Sequence, residues 1–131
     1  MIPKFRVFDK KYKKIMKVNE INFEKSSVWI ESDSGDHENR HTLTRGFDEV
    51  ILMQSTGLYD RHGVEIFQGD VVKIIYDGEP FTGVVVYDLG EADFKATNNR
   101  DDYGNNFQYL TVGESIEVIG DIYQNSELLE V

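Results

Sequence analysis

The stretch GDVVKIIYDGEPFTGVVVY, residues 69–87, holds two runs of β-branched and aromatic residues, Val71–Tyr76 and Phe81–Tyr87, split by Asp77-Gly78-Glu79-Pro80. Val, Ile, Phe and Tyr fit a pleated, half-buried strand, while Gly and Pro break chain direction, so the stretch reads as strand, short hairpin loop, strand. On its N-terminal side Gly57, Gly63 and Gly69 recur at six-residue spacing, but the intervening LYDRH and VEIFQ do not match and no repeat underlies it. Glycine adopts positive φ without a steric penalty, so the spacing predicts three sharp changes of direction, with Val64, Ile66 and Phe67 anchoring the turns to a core.

Period-two alternation continues on both sides of this block and predicts a mainly β chain, α+β at most. Phe5, Val7 and Phe8 mark a first strand, Ile15, Met16 and Val18 a second that continues through Ile21 and Phe23, and Val28 and Ile30 around Trp29 a third. Asp9-Lys10-Lys11 and Glu24-Lys25-Ser26-Ser27 are the turns between them. Val50-Ile51-Leu52-Met53 is too short for periodicity to assign; its flanking Gly46 and Gly57 favour a buried strand over a single helical turn. Later strands are predicted at Asp93–Thr97, Phe107–Val112 and Ser115–Ile119, and QNSELLEV predicts a brief helical turn capped by Asn125 or Ser126, with Leu128 and Leu129 packing back. The polar segments 31–40 and 98–106 hold no aliphatic run that could bury their backbone and read as loops.

At 131 residues, 40% of them hydrophobic, the chain suits one domain or two intimate subdomains with a real core. The absence of cysteine removes disulfides, thiolate nucleophiles and cysteine metal sites, and points to a reducing compartment, the cytoplasm. The opening MIPKFRVFDKKYKK has no apolar core of a signal peptide, and no run approaches the roughly 18 apolar residues of a membrane span, so no membrane role is expected.

Charge is distributed unevenly. Residues 1–25 hold 8 Lys/Arg against 3 Asp/Glu, about +5, and residues 26–131 hold 6 against 21, about −15. The acidic body disfavours phosphate backbones, so a nucleic-acid role would run through Lys10, Lys11, Lys13 and Lys14, which otherwise form a solvated turn.

The string HENRH, residues 37–41, matches the H-E-x-x-H zinc-protease pattern, which requires a helix to place both histidines on one face. The preceding SDSGD opposes such a helix and no third ligand is recognisable, so no metal site is assigned. His62, in a turn, forms no Ser-His-Asp set, and the acidic loops lack the EF-hand alternation and terminal Glu. No Walker loop or dinucleotide fingerprint occurs. No catalytic residue, cofactor or metal is expected.

The 69–87 hairpin resembles KOW-type and other SH3-like barrels, some of which bind RNA or ribosomal partners. In that reading Tyr76, Phe81 and Tyr87 form a stacking surface, whereas the acidic surroundings and the lone cation Lys73 favour them as core or rim aromatics. Over its whole length the chain resembles the YopX family of small phage and prophage proteins of Gram-positive bacteria. The likeness is carried by LMQSTGLYDRHGVEIFQGDVVKI (52–74), KFRVFD (4–9) and IEVIGDIYQNSELL (116–129), with Phe8 and Ser126 where the family pattern has Trp and Pro.

The resemblance implies a β-rich N-terminal subdomain, residues 1–56, as the part that mediates homo-oligomerisation, and a small SH3-like barrel at 57–131. It implies no enzymatic activity. Gln54, Thr56, Gly57, Leu58, Asp60, Gly63, Gly69 and Asp70 are then a structural family motif of turn and cap residues. The expected partner is a host or phage protein, with nucleic acid disfavoured.

Overall fold

The structure is a computed structural model and describes residues 3–32, 42–98, 107–110 and 115–129, without the side chains of Tyr76, Ser126 and Leu129. The chain is mainly β, with antiparallel pairing throughout the described strands, and it divides into two compact units, Ile2–Gln54 and Ser55–Val131.

In the first unit strands β1 (Phe5–Asp9), β2 (Lys14–Asn22), β3 (Ser27–Glu31) and β4 (Thr42–Gly46) form a meander, and β1 also pairs with the first half of β5 (Val50–Tyr59). The register sets Val7 opposite Met16 and Leu52, and Ile30 opposite Val18 and Leu43, which gathers one apolar face. Val7, Met16, Val28, Ile30 and Val50 form its buried centre, with Val18, Ile21, Leu43, Phe47 and Leu52 around it. Glu31, assigned by sequence to the polar loop 31–40, instead ends β3 opposite Thr42, with a side chain ion-paired to Lys17 at 3.6 Å. The turn after β1 also extends further than its sequence suggests, to Lys13, whose φ is +56°.

In the second unit the latter half of β5 pairs with β6 (Glu65–Phe67). Strands β7 (Asp70–Tyr76), β8 (Glu79–Asp88), β9 (Asp93–Thr97), β10 (Phe107–Tyr109) and β11 (Ser115–Asp121) form a five-stranded sheet in the order β10-β9-β8-β7-β11. Ile66, Val72, Ile74, Val85, Ala96 and Leu110 are its core, with Leu58, Phe81, Phe94, Ile116 and Val118 packed against them. The expected SH3-like barrel is not closed: among the described strands β10 and β11 are free ends of an open sheet.

Two turns differ from expectation for identifiable reasons. The β7–β8 loop is only Asp77-Gly78, both with positive φ (53° and 80°), as a two-residue type I′ turn requires, so Glu79 and Pro80 already belong to β8. Gly57 does not reverse the chain. It sits inside β5 at φ +78°, where the pairing shifts register between Ser55 and Tyr59, and so produces a bulge. The C-terminal turn is a single 3-10 turn, Ser126–Leu129, in which Leu128 reaches Gly120 of β11.

Candidate functional site

The motif residues predicted from sequence fall around the β5–β6 hairpin and the entry to β7. Gln54 pairs across from Phe5. Thr56 Oγ1 donates to the Ile66 carbonyl at 2.8 Å and accepts from Leu58 N–H at 3.1 Å, which fixes the bulge at Gly57, and the Leu58 side chain packs on the core. Beside it Ser55 Oγ donates to Glu65 Oε2 at 2.6 Å.

Asp60 is the densest of these nodes. Its Oδ1 accepts the N–H groups of His62 (2.8 Å) and Val64 (2.9 Å), and its Oδ2 accepts that of Val118 in β11 (2.9 Å). Burial alone pushes this carboxyl up; the amide bonds from Val118, Val64 and His62 outweigh it and hold the group below the usual carboxylate range. Gly63, at φ +81°, completes the turn by donating to the Asp60 carbonyl at 3.0 Å. Asp70 Oδ2 accepts Phe67 N–H at 2.8 Å across the turn that Gly69 makes at φ +93°. Gly69 is itself bridged to β8 through Val85 and to Ile122 after β11. Gln54, Thr56, Gly57 and Leu58 thus stand within β5, while Asp60 and Gly63 hold the turn before β6 and Gly69 and Asp70 the turn before β7.

The same habit recurs at Asp121, which accepts the N–H groups of Tyr123 and Gln124. A cluster that sequence reading missed lies on β8–β10. Lys95, 3% exposed, reaches Asp88 at 2.7 Å and Glu91 at 3.3 Å, and its ammonium lies 4.1 Å from the Phe107 ring centre and 5.3 Å from that of Tyr109. Hydrogen bonding to Asp88 raises the Lys95 pKa against the opposing effect of burial, and the bond from Lys95 lowers that of Asp88. Tyr109 donates its hydroxyl to Glu91 at 2.7 Å, which raises the phenol pKa. The strand alternation that puts Lys95 on the face of Phe107 and Tyr109 was the available signal. An ammonium held between two acids and two rings is a cross-strand clamp.

The first unit presents its polar groups differently. Asp9, fully buried, accepts Arg45 Nε at 2.9 Å and the Tyr12 N–H at 2.8 Å, which anchors the cationic turn 10–13. Tyr12 stands 61% exposed, with the Arg45 guanidinium 5.2 Å and the Lys14 ammonium 5.9 Å from its ring centre. Lys10, Lys11, Lys13 and Lys14 are all exposed; Lys10 donates to the Asp48 carbonyl and Lys14 to Ser32 Oγ. Next to this turn lies an open hollow of about 440 Å³ lined by Tyr12, Lys14, Met16, Ser32, Thr42 and Leu43. An aromatic residue inside the string KKYKK was its only sequence signal.

His62 is exposed, 3.8 Å from Glu117, and no group of acids and histidines among the described residues could hold a metal ion. HENRH lies outside the described residues, as do nearly all of 98–106 and the Thr111–Val112 end of the predicted 107–112 strand. Phe81 packs against the core and Tyr87 contacts Phe94 edge-on at 5.0 Å, so these two are rim and core aromatics; the Tyr76 side chain lies outside the description. No described helix is long and apolar enough to cross a membrane.

The fold has solved counterparts. The chain resembles protein EF1440 from Enterococcus faecalis with a TM-score of 0.62 and 24% identity, over 98% of this chain and 99% of that one. It also resembles protein yopX from Bacillus subtilis with a TM-score of 0.55 and 21% identity, over 95% of both chains. At these identities the likeness speaks for the fold alone. No curated protein matches the sequence. The sequence model of the YopX protein family matches residues 4–130, nearly the whole chain and all of the motif described above, and the chain therefore belongs to the YopX family.

Proposed function

We propose that the protein is a non-enzymatic phage or prophage accessory protein that acts by protein–protein contact in the cytoplasm of its bacterial host. The observation that carries this reading is the set of large side chains left in solvent: Phe23 is 76% exposed, Leu89 87%, Tyr59 62% and Trp29 45%. Aromatic side chains supply large contact area at small entropic loss and are the usual anchors of interfaces. The motif carboxylates Asp60 and Asp70 serve backbone amides, which suits a scaffold better than acid–base chemistry. The charge of about −15 over residues 26–131 matches a basic surface on the partner. Affinity capture of the full chain from host lysate at low salt should recover a partner that reassociates with the chain when purified. Recovery of none at low salt contradicts the reading.

A second reading is favoured by one observation, the exposed Tyr12 ring among Lys10, Lys11, Lys13 and Lys14: single-stranded nucleic acid on the cationic turn. Anisotropy with single- and double-stranded oligonucleotides separates the two. Binding that weakens steeply with salt and on charge reversal of these lysines supports nucleic acid; no binding at low salt ends that reading.

A further inference from the structure

We propose that Asp88, Glu91, Phe107 and Tyr109 form an ammonium-binding cage filled by the chain's own Lys95, and that this internal ligand latches β10 onto the sheet. The inference is independent of the protein-contact reading, since it concerns what the second unit binds within itself.

The register brings the walls together. Lys95 pairs with Val86 on one side and Tyr109 on the other, and Thr97 with Phe107, so by strand alternation Asp88, Lys95, Phe107 and Tyr109 share one face of the sheet. Asp88 Oδ1 accepts the N–H groups of Gly90 at 2.8 Å and Glu91 at 3.2 Å. That bends the β8–β9 turn so that both carboxylates reach the ammonium, at 2.7 Å and 3.3 Å. The two rings stand edge-on, 5.2 Å apart at 81°, and the Tyr109 hydroxyl donates to Glu91 Oε2 at 2.7 Å. The walls are thus tied to one another as well as to Lys95, which preassembles the cage.

The chemistry of these walls selects a cation. Ring faces attract an ammonium, and Nζ lies 4.1 Å from the Phe107 centre and 5.3 Å from that of Tyr109. Asp93, also near Tyr109, adds to the negative field. Burial alone disfavours a charged lysine; the bond to Asp88 outweighs it, so the cage holds the protonated form. A tethered ligand has an effective concentration of about millimolar or above, so free amines do not displace it. The latch also has something to hold. Strand β10 is three residues long and, among the described strands, pairs only with β9, through three residue pairs. Its other anchor is the next residue, Leu110, buried in the core.

The test follows amide exchange and the urea midpoint of the full ¹⁵N-labelled chain. Lys95→Met keeps the apolar stem and removes the charge, so exchange at residues 107–109 should accelerate at least about tenfold, and by more than at residues 71–75. Lys95→Ala empties the cage, and n-butylammonium should then slow exchange in β10 and raise the urea midpoint saturably. Butanol or sodium chloride at equal concentration should do neither, and the wild type should not respond to the amine. Where Lys95→Ala alone does not fold, the recovery is read as β-sheet circular dichroism regained with n-butylammonium. The proposal is overturned if β10 in Lys95→Met exchanges as in the wild type, or if n-butylammonium restores no more than butanol does.

Discussion

The two units of the chain use the same antiparallel strands and both tie turns with acidic side chains, but they differ in how many backbone amides one carboxylate gathers: Asp9 and Glu49 each accept one, Asp60 three. In Ser55–Val131 the carboxylates of Asp60, Asp70, Asp88 and Asp121 each accept backbone N–H groups, and buried Lys95 is locked between acids and rings. In Ile2–Gln54 one buried pair, Asp9–Arg45, steadies a turn whose lysines and tyrosine face solvent. A carboxylate that accepts several amides replaces the ladder bonds missing at a sharp turn, so it stabilises a loop-rich unit without a larger apolar core. Charges left in water contribute little to folding and remain available for recognition.

The contrast breaks most visibly at Asp60. Asp60→Ala leaves three amides without their acceptor and should lower stability by about 3–5 kcal/mol in urea unfolding. The pH dependence has a definite sign. Because the folded pKa is depressed, the Asp60 contribution is fully present above about pH 4 and is lost as pH falls through the folded value. The wild-type urea midpoint should therefore drop more steeply with acid than that of Asp60→Asn; parallel curves would remove Asp60 from its role. Next in size is Asp9→Ala, which strips the partner from the Arg45 guanidinium and the Tyr12 N–H and should cost about 2 kcal/mol by the same measurement.

Gly63→Ala isolates backbone strain from packing, since open space surrounds the added methyl while φ stays at +81°. A loss of about 1 kcal/mol is expected in the thermal midpoint analysis. The smallest effect belongs to the outward surface: Phe23→Ser and Trp29→Ser should each stay within about 0.5 kcal/mol of wild type in stability while weakening partner capture. A large destabilisation by either would make these side chains structural.

Sequence made the strands legible wherever β-branched residues alternate, as at Val71–Tyr76, Phe81–Tyr87 and Val28–Ile30. Strand β4 escaped because Thr42–Gly46 holds a single apolar residue, Leu43, and an edge strand needs no more. The β7–β8 loop reads two residues too long in the sequence because Pro80 resembles punctuation, although proline is tolerated where the ladder does not require its N–H. Gly57 reads as a reversal in the sequence because positive φ is legible in glycine, whereas its context, bulge or turn, depends on the partner strand. Of the candidate interface, only the basic string 10–14 showed; the hollow is assembled from positions far apart in sequence, and no local pattern announces it.

The most direct test of the contrast is residue-by-residue amide hydrogen exchange of the ¹⁵N-labelled full chain against that of Asp60→Asn. Faster exchange is predicted at His62, Val64 and Val118, whose amides are held by Asp60, with the Tyr12 amide, held by Asp9, unchanged. Faster exchange at Tyr12 with His62, Val64 and Val118 unchanged would contradict it.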